Sequence, residues 1–221
     1  NFDKIRGLLS SALASEESED AELAVVAQGI ARAASILAER FTLVVTNPPY
    51  LLRRKQSAAL QDFSEQADAS AKGDLAVLFL SRLTRLLSQG GAVGVVQPQN
   101  WMFLTGYRKF RETFLRSNSL RFIACLGPAA FQDMNWWAIR TSLVIAQRWN
   151  IEANSTFYGF DLGSHRECDE KPAAVRAVET VAVNQQGQLK NPDARILVGG
   201  HEHGATLLSE LADSSWGVSP A

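Results

Sequence analysis

Cysteine is nearly absent from this sequence. Cys125 and Cys168 are the two thiols in 221 residues, far apart and outside any metal-ligand spacing. That argues against a disulfide framework and a structural zinc, and reads as a reduced, cytoplasmic chain. No apolar run is long enough to cross a bilayer, and the amino terminus has no signal-peptide pattern. The formal net charge of −1 does not advertise a nucleic-acid partner. Glycine is sparse early, with only Gly7 and Gly29 before residue 41, so no glycine-rich strand–turn–helix precedes that point. His201-Glu202-His203 lacks the H-E-x-x-H spacing that aligns two imidazoles on a helix; flanked by Gly199, Gly200 and Gly204, it reads as a loop, and no metal site is expected.

What is present is organised around Phe41–Tyr50, FTLVVTNPPY. A β-branched apolar run stopped by proline predicts a buried parallel strand. Pro48 and Pro49 lack N–H donors and cannot extend a ladder, and Pro48 keeps Asn47 extended. The result is a stiff loop at a strand's carboxyl end, offering an amide, prolyl carbonyls and an aromatic ring. In open α/β sheets ligands bind there. The competing reading is a tight surface turn.

Around this stretch, residues 2–14 and 21–38 read as amphipathic helices with core-packing faces, including Leu23, Val26, Ile30, Ala34 and Leu37. Leu51–Gly73 is polar and long enough to suggest a mobile functional loop, with a helical stretch over Ser57–Ala67. Asp74 caps a helix ended by Gly90-Gly91, and a strand follows at 92–96. A basic helix (106–115), a strand (120–127), a loop holding Phe131, Trp136 and Trp137, and a strand (138–149) complete the alternation. This implies right-handed parallel units with a final antiparallel hairpin. Beyond residue 150, FYGFDL, KPAAVRAVE, TVAVN with a QQG turn, and RILVG suggest a small α+β appendage. The division is a helical lead-in (1–40), a doubly wound α/β unit (41–150) and the appendage (151–221). Arg53, Arg54 and Lys55 follow the NPPY loop and suit a phosphate backbone. Arg108, Lys109, Arg111, Arg116 and Arg121 form a second cluster, read equally as a solvated helix face.

An apolar strand ending in N-P-P-Y, followed by DLAVLFLSRLTRLLSQGGAVGVVQPQNWMFL, YRKFRETFL and LRFIACLGPAAF, resembles the catalytic half of N6-adenine DNA methyltransferases in the γ motif order. It is most similar to the large methylases of BREX phage exclusion and to fused restriction–modification methylases, over roughly residues 41–149. The resemblance implies a Rossmann-like sheet, S-adenosylmethionine (AdoMet) as methyl donor, and double-stranded DNA with a flipped adenine as acceptor. Defence-system proteins would be its partners. It implies that Asn47, Pro48, Pro49 and Tyr50 form the catalytic motif and that Tyr50 and Phe131 wall the base pocket. Phe79 and Asn47 would meet the cofactor, and Arg53, Arg54 and Lys55 would meet the DNA backbone. Core packing competes for both phenylalanines, and Phe79 fits the apolar stripe of its helix. The AdoMet motif expected upstream is missing, and the closing LADSSWGVSPA resembles the start of a target-recognition domain. The chain therefore reads as an excised fragment, inactive alone. The alternatives are a methyltransferase for protein glutamine or RNA, and a non-catalytic DNA-binding module of a defence complex.

Overall fold

The computed structural model describes residues 21–131 and 140–199. The helix expected over residues 2–14, the Trp136-Trp137 pair, the His201–His203 run and the closing segment 211–221 lie outside the described residues. Among the described residues one sheet of six strands organises everything, in the order β1-β2-β4-β3-β5-β6. The strands are β1 (Phe41–Thr46), β2 (Leu87–Pro98), β3 (Ser119–Gly127), β4 (Thr141–Gln147), β5 (Thr156–Asp161) and β6 (Val181–Asn184). β1 and β2 pair in parallel, as do β3 and β5. β4 lies antiparallel between β2 and β3, and β6 is antiparallel to β5. The hairpin expected from the short β3–β4 link is therefore present. β1, β2, β3 and β5 all point one way, so the loops after them share one edge of the sheet.

The strands beyond residue 150 join this sheet directly: β5 continues it beside β3. The stretch read as RILVG forms no strand. Instead Ile196 N–H donates to Met102 O at 2.9 Å, while Ile196 and Val198 enter the core. The expected QQG turn is a single helical turn, Gln185–Gln188, capped by Asn184, whose side chain accepts from Gly187 N–H at 2.6 Å.

Helix α1 (Ala21–Ala38) has the predicted bounds. Its apolar stripe does not enter the described core, since Val26, Ile30 and Leu37 are exposed. Helix α3 (Leu75–Leu86), by contrast, sends Val77, Leu80 and Leu83 against β2. It ends earlier than Gly90-Gly91: the chain turns extended at Leu87, and both glycines lie within β2. Helix α4 (Arg108–Ser117) covers the same face through Phe110, Phe114 and Leu115. Trp101 is fully buried and meets Phe110 and Phe114 edge-on, at 5.9 and 5.6 Å, a favoured aromatic geometry. On the opposite face, Ala124, Phe160 and Leu162 pack with Ala174 of α5 (Lys171–Ala177). Helices on both faces make the sheet doubly wound, as expected.

Two buried polar side chains cross-link the elements. Arg111, read from sequence as part of a basic cluster, is fully buried. Its guanidinium donates to Trp101 O and Leu104 O at 2.7 Å and to Asp193 O at 2.8 Å. Gln185 donates to Leu115 O and Asn118 O and accepts from Leu120 N–H, closing the end of α4. Both satisfy carbonyls that burial would otherwise leave unpaired.

Gly91 sits where the β1–β2 register shifts, between Phe41 and Leu43. A Cβ there would lie 2.7 Å from Phe41 O and 3.0 Å from Ser88 O, both backbone atoms. Gly91→Ala is expected to cost about 1–3 kcal/mol through overpacking, read in urea as a lower midpoint with an unchanged slope.

Candidate active site

Asn47–Tyr50 leaves β1 at the shared carboxyl edge. Asn47 and Pro49 are exposed, Pro48 is buried and Tyr50 is half-buried. Buried Pro48 anchors the turn, while the Asn47 amide faces outward with no hydrogen-bond partner among the described residues. The Tyr50 hydroxyl is tucked inward. Burial pushes its pKa up to about 12, opposed by the Thr141 hydroxyl and aided by the Asp74 carboxylate. Tyr50 Oη and Thr141 Oγ1 influence one another but meet in no hydrogen-bond geometry, and both are buried without a partner among the described residues. Gln97 Oε1 and Trp101 Nε1 are likewise unpaired among the described residues.

The segment after Tyr50 is built rather than open, contrary to the expectation of a mobile loop. It contains a 3-10 turn, Arg53–Lys55, and helix α2 (Ala58–Asp68), which Ser57 caps by accepting from Leu60 N–H. Its ends are zipped together: Arg53 N–H donates to Gly73 O at 2.9 Å and Leu75 N–H to Leu51 O at 3.0 Å. The Asp74 carboxylate, almost fully buried, accepts from Leu51 N–H at 3.2 Å and Ala76 N–H at 2.9 Å. Burial raises its pKa, against the lowering effect of those two donors. The Tyr107 hydroxyl lies over the corner; a Cβ on Gly73 would come within 2.6 Å of it. Sequence reasoning took Asp74 as a helix cap only and missed Thr141 and Tyr107. One signal was present: an acid two dozen residues after the motif, capping an apolar helix.

The remaining predicted site residues are placed unevenly. Phe79 is 37% exposed while its helix neighbours Ala76, Val77, Leu78 and Leu80 are buried. The apolar stripe therefore does not place it in the core, and an aromatic face is left open on α3. Phe131 is 41% exposed, in the loop after β3. It shares the carboxyl edge with Tyr50, but β1 and β3 are three strand steps apart in the sheet order, about 14 Å. Arg53 donates to Glu65 at 3.1 Å, and Lys72 joins the same carboxylate at 2.7 Å, holding α2 against the loop. Arg54 is exposed. Among the described residues no group of acidic, cysteine and histidine side chains could hold a metal ion, and no helix is long and apolar enough to cross a membrane.

A strand–NPPY loop, a capped helix and two further strands in this order match the family model described as Eco57I restriction-modification methylase over residues 5–131. The chain belongs to this family. The adenine-specific methyltransferase BrxX of Escherichia coli O9:H4 (strain HS) is 32% identical over 124 residues, covering 56% of this chain and 10% of that protein. The adenine-specific methyltransferase PglX of Lacticaseibacillus casei (strain Zhang) is 27% identical over 125 residues, covering 57% and 10%. The match thus spans about a tenth of the length of these curated relatives. The fold is shared with a nuclease-deletion mutant of the Type ISP restriction-modification enzyme LlaGI in complex with a DNA substrate mimic. That similarity has a TM-score of 0.54 at 16% identity and covers 80% of this chain and 17% of that one.

The two thiols of this Eco57I-family chain differ. Cys125, buried in β3, is pushed up to about 12 by desolvation, with Asp161 adding and Arg140 opposing. Cys168 is half-buried. A dithionitrobenzoate titration of the folded chain at about pH 8 is expected to modify Cys168 readily and Cys125 only after denaturation.

Proposed function

We propose that this chain is the catalytic segment of a DNA methyltransferase that methylates N6 of an adenine rotated out of the duplex. It would act in the cytoplasm, within restriction–modification or phage defence. The observation that carries the reading is the Asn47 amide, exposed and unpartnered on a loop anchored by buried Pro48 at the carboxyl edge of a parallel strand. An exocyclic adenine nitrogen is a poor nucleophile because its lone pair is delocalised into the ring. The Asn47 side-chain oxygen and the Pro48 carbonyl would accept its two hydrogens, favouring tetrahedral geometry and aiming the lone pair. This is orientation and electrostatic preorganisation, with no covalent enzyme intermediate.

A paired base cannot reach such a loop, so the adenine must leave the stack. Tyr50 would stack on it, and Phe131, on the loop after β3 at the same edge of the sheet, would form the far wall of the pocket. AdoMet, when bound, would supply an electrophilic methyl group to the lone pair that Asn47 and Pro48 orient. The exposure of the Phe79 ring on α3 supports this reading, since it would offer the donor's adenine a stacking face. Arg54 and Lys55, with Arg53 shared with Glu65, would supply charge toward DNA phosphates.

In a longer enzyme carrying this segment, Asn47→Ala is expected to lower methyl transfer about 100- to 1,000-fold, the scale of losing a preorganised polar contact, with AdoMet affinity retained. Isotope-labelled AdoMet with mass analysis of DNA, RNA and protein acceptors checks both rate and acceptor; near-normal DNA methylation by the variant would refute the mechanism. Phe79→Ala is expected to weaken AdoMet binding about tenfold or more, the stacking scale, by calorimetry, while DNA affinity is unchanged.

A further inference from the structure

We propose that Asp74 is a positioning residue for the catalytic loop, acting through the Leu51 N–H; its catalytic consequence rests on the methyltransferase reading above. Pro48 and Pro49 offer no N–H, so the motif cannot be secured by an ordinary ladder. Beyond the prolines, the first backbone hydrogen bonds among the described residues are those of Leu51. Its N–H goes to Asp74 Oδ1 at 3.2 Å, and its carbonyl accepts from Leu75 N–H at 3.0 Å and Gln56 Nε2 at 2.9 Å. The same Oδ1 accepts from Ala76 N–H at 2.9 Å. One oxygen therefore ties the exit of the NPPY loop to the first turn of α3.

A helix cap alone does not require aspartate, since serine or asparagine serves about as well. The second demand is reach, because the acceptor must extend from the α3 cap to the Leu51 N–H, next to the backbone bridge that pairs Leu52 with Asp74. Aspartate has that length, and Asp74 itself is buried at 5% exposure, with Leu51 half-buried. Tyr50 precedes the clamped residue directly and Asn47 lies four positions upstream, with two φ-locked prolines between. A shift at Leu51 is therefore passed to both rather than absorbed. The sequence links in turn: Asp74 sets Leu51, Leu51 sets the loop exit, and the exit sets the Asn47 acceptor.

The test uses the full-length enzyme that carries this segment and three variants. Asp74→Asn keeps a carbonyl oxygen in place of Oδ1. Asp74→Ser keeps a good helix cap but is too short to reach Leu51. Asp74→Ala loses both. Asp74→Ser and Asp74→Ala are expected to lower kcat about 100-fold, as misplacement of a reacting group does. KM for DNA and Kd for AdoMet should stay within about threefold, the pattern of a contact that matters only at the transition state. Asp74→Asn should stay within about threefold of wild type throughout.

Hydrogen–deuterium exchange of the peptide spanning residues 50–56, read without substrate, should accelerate in the serine and alanine variants and not in Asp74→Asn. Equal loss in all three variants would overturn the proposal by assigning the effect to charge. Unchanged exchange and kcat in Asp74→Ser would overturn it by leaving Asp74 a helix cap alone. If exchange responds as described while the wild-type enzyme methylates no adenine, the functional reading has failed and the clamp stands.

Discussion

The geometry of this molecule's reactive edge depends on a short antiparallel zip between Leu51–Arg53 and Gly73–Leu75, locked by the Asp74 carboxylate. The NPPY loop is held at its entrance by the parallel β1–β2 ladder but can contribute little backbone pairing of its own, because two of its residues are prolines. The zip supplies the missing restraint from the far side. It turns a long polar insertion into a small lobe, closed by α2 and by the Glu65 carboxylate shared between Arg53 and Lys72. Those ion pairs are exposed and contribute modestly. The buried backbone and Asp74 hydrogen bonds carry more of the closure.

A second layer of order comes from polar side chains inside the fold. Arg111 and Gln185 satisfy six backbone groups between them, and both bridge segments far apart in sequence. Such side chains are costly to bury unless every group is met, so they favour one arrangement of α4 against the loops around it. Among the described residues the unpaired buried side-chain atoms belong to Tyr50, Thr141, Gln97 and Trp101, the last beside Arg111.

The described sheet has an open side as well. Leu43 and Val45 on β1 are 62% and 72% exposed, and Leu143 and Ile145 on β4 are exposed on outward-facing positions. Gly94 lies beneath Val45, close enough that a Cβ would touch it at 3.7 Å. These residues present apolar surface on the flank where β1 lies. The motif is thus well supported from β2 and α3 and bare on its other side among the described residues.

How much of this was legible in the sequence follows from the range of each interaction. The parallel strand β1 and its proline stop, the α3 cap, the bounds of α1 and the antiparallel return of β4 all rest on local period, turn chemistry and short links, which neighbouring residues specify. The family order of motifs was legible for the same reason. The expectation that β1 is buried fails among the described residues, because it is the edge strand and Leu43 and Val45 face outward. Burial patterns alone misread Phe79, because a helical stripe shows which side chains are apolar and not where the helix's contact face ends. Arg111 looked like surface charge because its three carbonyl partners lie in the 101–104 loop and at residue 193, which no spacing rule connects to it. The strands after residue 150 looked like a separate appendage because parallel pairing of β5 with β3 joins segments with no local signal between them. The sequence by itself determined the NPPY loop and the elements that carry it, since proline, β-branched runs and capping residues act within a few positions. Only the tertiary structure decided what holds that loop, because the Asp74–Leu51 contact spans 23 residues and exists only once the lobe between them has folded.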